Sequence, residues 1–503
     1  MDTQLLYFLP LLIASIFALF TPIIDVFTGS NRKVIFYTTL LNFALIIITN
    51  IILLAQPGFA TPLLNINQSG NFLSEFLKNS IVLSSYTIFF DLIFSVAGLL
   101  TLFGVRQYLI RENYEHKEFY SLLCFSYLGM MLIAHSNSLV ILFLGIETMS
   151  ISFYVLSGFI RDKVSNIEAS LKYFLLGAFA TGFLVYGMAM VYGSTGSLEL
   201  STIHTKIANN QFNTIYLAIG IGLMIVGLSF KASTFPFHQW APDVYTGAPT
   251  VVSAFMSTAG KSAAFVAFII IARAIVPMNL TTSGAFTQTS NFISQYFREI
   301  LAFIAAFTML VGNITALLQT NVKRMLAFSS VAHAGYLMMG IVANNSDGWS
   351  GIVFYASAYI LMQIGAFIIV SLVEKDNDQR LNLSDYNGLS KNNPFLAAAM
   401  AIFMFSLAGI PPFAGFFGKY YLFLSVIESG YLWLTIVAVV ATLISLYFYI
   451  GLIINMYFKT DSGEIEKVHL GLANISVIIS LIGVIFLGLF PNTIMNYAIL
   501  FFK

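Results

Sequence analysis

Along the chain, apolar runs of about 20 residues alternate with short polar connections, and a run of that length crosses a hydrocarbon core as one helix. The runs fall near 4–27, 35–55, 83–105, 118–136, 138–160, 169–192, 213–245, 250–275, 299–319, 323–343, 350–373, 396–427, 431–457 and 470–490. This pattern predicts an all-α polytopic membrane protein of about 14 transmembrane helices, referred to below as spans 1 to 14. The longest polar connections, near 56–82, 193–212 and 274–298, read as loops and leave no room for a soluble domain.

Two runs are too long for one simple crossing. The seventh and twelfth reach roughly 30 residues, and each holds a proline that removes a helical hydrogen bond and clashes with the preceding turn. Both are therefore expected to be discontinuous, at Pro236 and at Pro411-Pro412. Their local sequences also correspond, as Lys231…Phe235-Pro236-Phe237 and Pro411-Pro412-Phe413…Lys419. Broken helices at matching places in two halves point to an inverted-repeat transporter with its site near the midplane. The expected units are 118–275 (spans 4–8) and 276–457 (spans 9–13), two inverted five-helix repeats flanked by 1–117 (spans 1–3) and 458–503 (span 14). Inversion requires an odd number of spans per unit, which five satisfies.

Composition narrows the class. The chain is 58% hydrophobic and 9% charged, far from the roughly 25% charged residues of soluble domains. A net charge of +1 with dispersed basic residues argues against nucleic acid as a partner. Cys124 is the only cysteine, so this chain alone builds no disulfide, iron–sulfur or Cys-ligated metal site. Asp2 precedes the first apolar run, which lacks a basic leader and reads as a retained span. Of the 23 Lys and Arg, fourteen fall in the connections after spans 1, 3, 5, 9, 11 and 13. By the positive-inside rule, both termini are then expected to face away from the cytoplasm.

Five ionisable residues within spans carry the candidate chemistry: Glu147, Lys172, Lys231, Lys261 and Lys419. A charge in hydrocarbon is costly, so it marks an ion or proton path and has a partner. For Glu147 the candidates are Lys172 and Lys231, with a static ion pair as the alternative. Lys231 and Lys419 stand near the two breaks, where freed carbonyls and water can solvate an ammonium. Burial disfavours the ammonium and a nearby carboxylate favours it, so a lysine held between the two can be switched. Lys261 is too deep in span 8 to reach an interface and bridges the two sites; Gly260-Lys261-Ser262 lacks the earlier glycine of a phosphate loop. Lys172 follows Glu168 by four residues, so a surface pair or snorkelling accounts for it as well as a proton path does. His333 in span 10 and His238 after the span 7 break can relay protons, with packing as the alternative and His333 the stronger of the two. Asp25, Asp91 and Asp243 sit near span ends or breaks and read as caps or interfacial groups. The 25 Tyr and 49 Phe read as packing and interface belts. With no metal cluster, dinucleotide loop or haem spacing, redox chemistry is not expected in this chain.

The stretch from Phe230-Lys231-Ala232-Ser233 through Trp240-Ala241-Pro242-Asp243-Val244-Tyr245 to Pro249-Thr250 closely resembles a motif of the antiporter-like membrane subunits of respiratory complex I, the NADH–quinone oxidoreductase. The Pro242-to-Tyr245 form is similar to their N branch. Leu144–Ser150, Glu168–Tyr173, Asn321–His333 and Gly409–Lys419 resemble further family motifs, in the same order and over most of the chain. The resemblance implies one proton channel of a redox-driven pump, with Glu147–Lys231 as coupling pair, Lys261 as connector and Lys419 as terminal site. A lysine in span 12 agrees with the N and L branches, and the long lateral helix of the L branch is not expected before Lys503. It also implies a bacterial inner membrane location and, besides lipids, other membrane subunits as partners, including a second antiporter-like one. No cofactor is expected in this chain; NADH, FMN, iron–sulfur clusters and quinone would belong to partner subunits. The alternative is a subunit of a multisubunit Na+/H+ antiporter, using the same charges without a redox partner.

Overall fold

Inside a bilayer the backbone must satisfy its own hydrogen bonds, which leaves helices as the way for each apolar run to cross. The structure is a computed structural model that describes residues 7–27, 32–55, 80–275, 288–375, 380–460 and 471–502, side chains 288–293 excepted. Among these residues there are no strands beyond isolated bridges such as Ile81 with Ser136. Twelve helices are long and apolar enough to cross a membrane, and Glu118–Ala134 and Pro394–Ala408 are shorter apolar helices. Each predicted run overlaps one of these fourteen.

In chain order the spans are 1, Leu9–Phe27; 2, Arg32–Leu54; 3, Ser85–Arg111; 4, Glu118–Ala134; 5, Leu139–Ser157; and 6, Val164–Thr195. Span 7 is Thr214–Ala232 followed by Trp240–Gly247; span 8 runs from Thr250 to Ile275; span 9 is Gln288–Leu317; span 10 is Val322–Ala343. Span 11 is Ser346–Val373; span 12 is Pro394–Ala408 followed by Ala414–Glu428; spans 13 and 14 are Leu432–Phe458 and Leu472–Leu489. Burial sorts them. Spans 8, 10 and 11 are enclosed almost all round, while spans 1, 2, 6, 13 and 14 bury one face only. An all-round apolar helix belongs in an interior, so the three enclosed spans form the axis.

Both broken helices are confirmed, and they break alike. Span 7 halts at Ala232, Ser233 turns left-handed (φ 58°), and the Phe235-Pro236 peptide is cis. Span 12 halts at Ala408, Gly409 turns left-handed (φ 85°), and the Pro411-Pro412 peptide is cis. At the first break the Phe230 carbonyl accepts both the Ser233 amide and Trp240 Nε1, each at 3.0 Å. At the second, the Gly415 amide donates to Ser406 Oγ at 3.1 Å.

The structure corrects the loop assignments. Leu200–Ala208, inside the expected 193–212 loop, is a helix that buries Leu200, Ile203 and Ile207 in one amphipathic stripe. Span 9 begins at Gln288 rather than 299, because its polar first turns continue the helix of the apolar run. The rest of the 56–82 and 274–298 connections, residues 56–79 and 276–287, lie outside the described residues, as do Asp2 and Lys503. A short helix, Asn492–Phe502, follows span 14, and Met256–Gly260 forms a π turn within span 8, immediately before Lys261.

Candidate ion-conducting site

Glu147 lies midway along span 5 and meets span 7 across a narrow gap. Lys231 Nζ stands 3.9 Å from Glu147 Oε1, donates to Ser150 Oγ at 2.7 Å and to Tyr154 OH at 3.2 Å. Ser150 and Tyr154 follow Glu147 on span 5, at the three- and four-residue steps that keep side chains on one helix face. Thr181 of span 6 donates to Glu147 Oε1 at 2.8 Å. The lysine is thus held chiefly by hydroxyls, with the carboxylate at the edge of ion-pair range. Lys231 is buried, while Glu147 keeps partial exposure on the outer surface of the bundle.

Lys261, next in line, is enclosed at mid-depth. Its ammonium donates to both the carbonyl and the hydroxyl of Ser330 on span 10, each at 2.7 Å. It also lies 5.4 Å from the Tyr245 ring centroid. Three residues beyond Ser330, His333 Nδ1 is 2.5 Å from Tyr355 OH and its Nε2 is 3.1 Å from Tyr449 OH. Tyr449 OH in turn hydrogen-bonds Ser329 Oγ. The Tyr336 ring touches both His333, at 5.8 Å, and the Lys419 ammonium, at 4.7 Å. Lys419 donates to the carbonyls of Leu407 and Ala408 at 3.0 and 3.1 Å. These are the carbonyls released by the span 12 break, so the helix interruption itself solvates the charge.

Between Lys231 and Lys261 the polar groups belong to the span 7 break. Ser229 Oγ, Ser233 Oγ and His238 Nδ1 are buried there without a protein hydrogen-bond partner. Buried polar groups of this kind are satisfied by ordered water. Around His238 the Phe235 ring stacks at 5.8 Å, so the imidazole joins the break rather than the Lys261–Lys419 row.

Lys172 stands elsewhere. It pairs with Glu168 at 2.6 Å and with Asp243 at 3.2 Å, half-exposed, and its partner is not Glu147. Asp243 also pairs with Arg324 at 3.0 Å, both side chains partly exposed, in keeping with an interfacial group. When the two breaks are aligned on Ser233 with Gly409 and on Pro236 with Pro412, Asp243 falls opposite Lys419 and Lys231 opposite Leu407. Asp25 is an interfacial ion pair with Lys117, at 2.7 Å. Asp91 is a correction: it is fully buried in span 3 and paired with His135 at 2.8 Å, with His135 Nδ1 donating to the Val82 carbonyl at 2.9 Å. The hydroxyls of Ser150, Tyr154, Ser330, Tyr355 and Tyr449 were not foreseen, and part of the tyrosine content serves the polar row as well as packing. Among the described residues no group of three His, Cys, Asp or Glu side chains stands together to hold a metal ion.

Buried lysines strung between two alike helix breaks, in an all-helical bundle with a lipid-length apolar exterior, define a membrane protein of the ion-translocating class. Residues 136–445 match the family described as NADH:quinone oxidoreductase/Mrp antiporter, transmembrane. NADH-quinone oxidoreductase subunit N of Trichlorobacter lovleyi is 42% identical over 432 residues, 85% of each chain. Subunit N 1 of Chloroherpeton thalassium is 39% identical over 491 residues, 97% of this chain and 96% of its own. A chain of respiratory complex I from Thermus thermophilus superposes with a TM-score of 0.78 at 30% identity, covering 97% of this chain and 98% of that one. A chain of the Mrp complex from Dietzia sp. shares the fold, with a TM-score of 0.81 at 19% identity over 99% and 97% of the two chains. The chain belongs to the NADH:quinone oxidoreductase/Mrp antiporter family of membrane subunits.

Proposed function

We propose that this chain is the proton-translocating antiporter-like subunit of a bacterial NADH–quinone oxidoreductase. The observation that carries the reading is the 3.9 Å Lys231–Glu147 contact, an ion pair poised at the edge of its range and backed by two hydroxyls. At that separation, with an effective dielectric near 20, the attraction is about 4 kcal/mol. A small displacement of Glu147 toward or away from Lys231 therefore decides whether the ammonium keeps its proton. A proton leaving Lys231 passes through water at the Ser229, Ser233 and His238 break to Lys261, then along Ser330, His333 and the tyrosine hydroxyls to Lys419. Lys172 acts at the margin, through Asp243.

Electron transfer belongs to partner subunits, which supply NADH, FMN, iron–sulfur and quinone chemistry; the names of the relatives and the complex I neighbour support this. Other membrane subunits, a second antiporter-like one among them, and lipids cover the apolar exterior. The chain lies in the inner membrane of a bacterium with both termini outside the cytoplasm, as the basic residues of alternate connections support. Spans 4–8 (118–275) and 9–13 (276–457) are the two inverted repeats, flanked by 1–117 and 458–503. Spans 7 and 12 cross in opposite directions, and Lys231 precedes its break while Lys419 follows its own. Both lysines then lie on the same side of their breaks, as an inverted pair of units allows.

Replacing Lys231 by Ala in the intact complex is expected to abolish this channel's proton movement while the complex still assembles. Unchanged protons per electron in proteoliposomes carrying that variant would overturn the assignment. Sodium-dependent proton exchange by the chain without redox partners would favour the antiporter alternative instead.

A further inference from the structure

A second group of buried charges stands apart from the lysine row, at the end of the molecule that carries the Lys- and Arg-rich connections. Glu374 follows the last turn of span 11, and its side chain is wholly enclosed. Its Oε2 accepts from Thr250 Oγ1 at 2.6 Å, and Thr250 opens the span that carries Lys261. Arg111, at the end of span 3, reaches the same oxygen at 4.0 Å while remaining 28% exposed. Arg111 also lies 3.4 Å from Glu112, which pairs with Lys163 at 2.9 Å. Charged groups therefore lead from the surface inward to Glu374.

Deeper in, Gln363 precedes Glu374 by eleven residues on the same span, about 16 Å along a helix axis. Gln363 is fully buried; its Nε2 donates to the Leu326 carbonyl at 3.2 Å, and its Oε1 has no protein partner. A buried amide oxygen in that position calls for an ordered water. Leu326 is one turn before Ser330, the residue that holds the Lys261 ammonium through two 2.7 Å hydrogen bonds. Gln363 thus sits between Glu374, on its own span, and the turn of span 10 that leads to Ser330 and Lys261.

We infer that Glu374 is the proton-uptake carboxylate for Lys261, receiving protons from the basic-loop side and passing them inward through water held at Gln363. One proton moves from bulk water to the Glu374 carboxylate and on to the neutral amine of Lys261; only O–H and N–H bonds break and form. This assignment rests on the proposed proton-pumping role. It supplies that role with a direct inlet to the central lysine, separate from the Glu147–Lys231 pair.

The test uses the intact complex in proteoliposomes, with Glu374→Gln, Glu374→Asp, Gln363→Leu and Lys231→Ala compared for complex content and protons moved per electron. Glu374→Gln is expected to assemble and to move fewer protons per electron, and Glu374→Asp to restore the ratio. Gln363→Leu, which removes the water-holding amide, is expected to lower it as well. A normal ratio in Glu374→Gln or in Gln363→Leu overturns the inlet. So does reduced complex content with a normal ratio in what remains, which marks Glu374 as a structural brace. If Lys231→Ala loses pumping while the Glu374 and Gln363 variants do not, the inlet alone fails. If Lys231→Ala also pumps normally, the pumping role itself fails.

Discussion

Lys231 and Lys261 are both enclosed ammonium groups, yet their partners differ in kind. Lys231 faces a carboxylate at 3.9 Å with two hydroxyls; Lys261 hydrogen-bonds Ser330, through carbonyl and hydroxyl, and lies over the Tyr245 ring. A hydrogen bond to a charged group contributes about 1.5–3 kcal/mol. Tyr154→Phe, which removes one acceptor from Lys231, is therefore expected to slow pumping of the assembled complex roughly tenfold or more at 1.4 kcal/mol per decade, read as the initial rate of proton uptake. Ser330→Ala is expected to slow it less than Lys261→Ala, because the carbonyl still accepts. The charges were legible in the sequence because an ionisable side chain in an apolar run is costly and stands out from its neighbours. Ser330 was not, since a serine in a helix ordinarily bonds its own backbone, and Ser330 Oγ does donate to the Ala327 carbonyl at 2.7 Å.

At the scale of elements, the two prolines made both breaks legible, but the close approach that holds each break together was not. In span 12 the second half docks back on the first so tightly that a Cβ on Gly415 would stand 1.8 Å from the Ser406 carbonyl oxygen. No side chain can flex to relieve a clash with backbone. Overpacking of this kind costs about 1–3 kcal/mol or more, so Gly415→Ala is expected to deplete the assembled complex on a native gel. Gly451→Ala, where a Cβ meets open space, is the matched control and is expected to leave the content unchanged. The π turn at Met256–Gly260 was equally hidden, as nothing in Met-Ser-Thr-Ala-Gly forbids a regular helix. Its last residue, Gly260, lies against the Phe153 ring, where a Cβ would come within 2.7 Å.

Across the whole molecule, enclosed spans 8, 10 and 11 carry the middle of the polar row, from Lys261 through Ser330 and His333 to Tyr355, and the outer spans present an apolar surface, with Phe179 and Tyr447 each 74% exposed. That surface suits lipid and neighbouring subunits, and it fixes the plane of the membrane but not which way up the chain lies. The basic connections supply the direction. With buried Cys124 left in place, an Asp162→Cys variant is expected to react with a membrane-impermeant maleimide only in inverted vesicles, and an Asn210→Cys variant only in right-side-out ones. The reverse pattern would overturn the proposed orientation. Asp162 and Asn210 are both exposed, so each thiol reports its own side.

The sequence by itself determined the number and position of the spans, the two breaks and the identity of the buried charges. Each of these is a local matter: about 20 apolar residues span a bilayer, a proline removes a hydrogen bond, and a lysine in hydrocarbon must be solvated by protein or water. Tertiary structure alone decided the partners. Glu147 meets Lys231 rather than Lys172, Lys261 meets Ser330, Asp91 meets His135 and Glu374 meets Thr250 across 124 residues of chain. Pairing across spans depends on which helix faces turn toward one another, and that is set by packing summed over the whole bundle rather than by any one stretch of sequence.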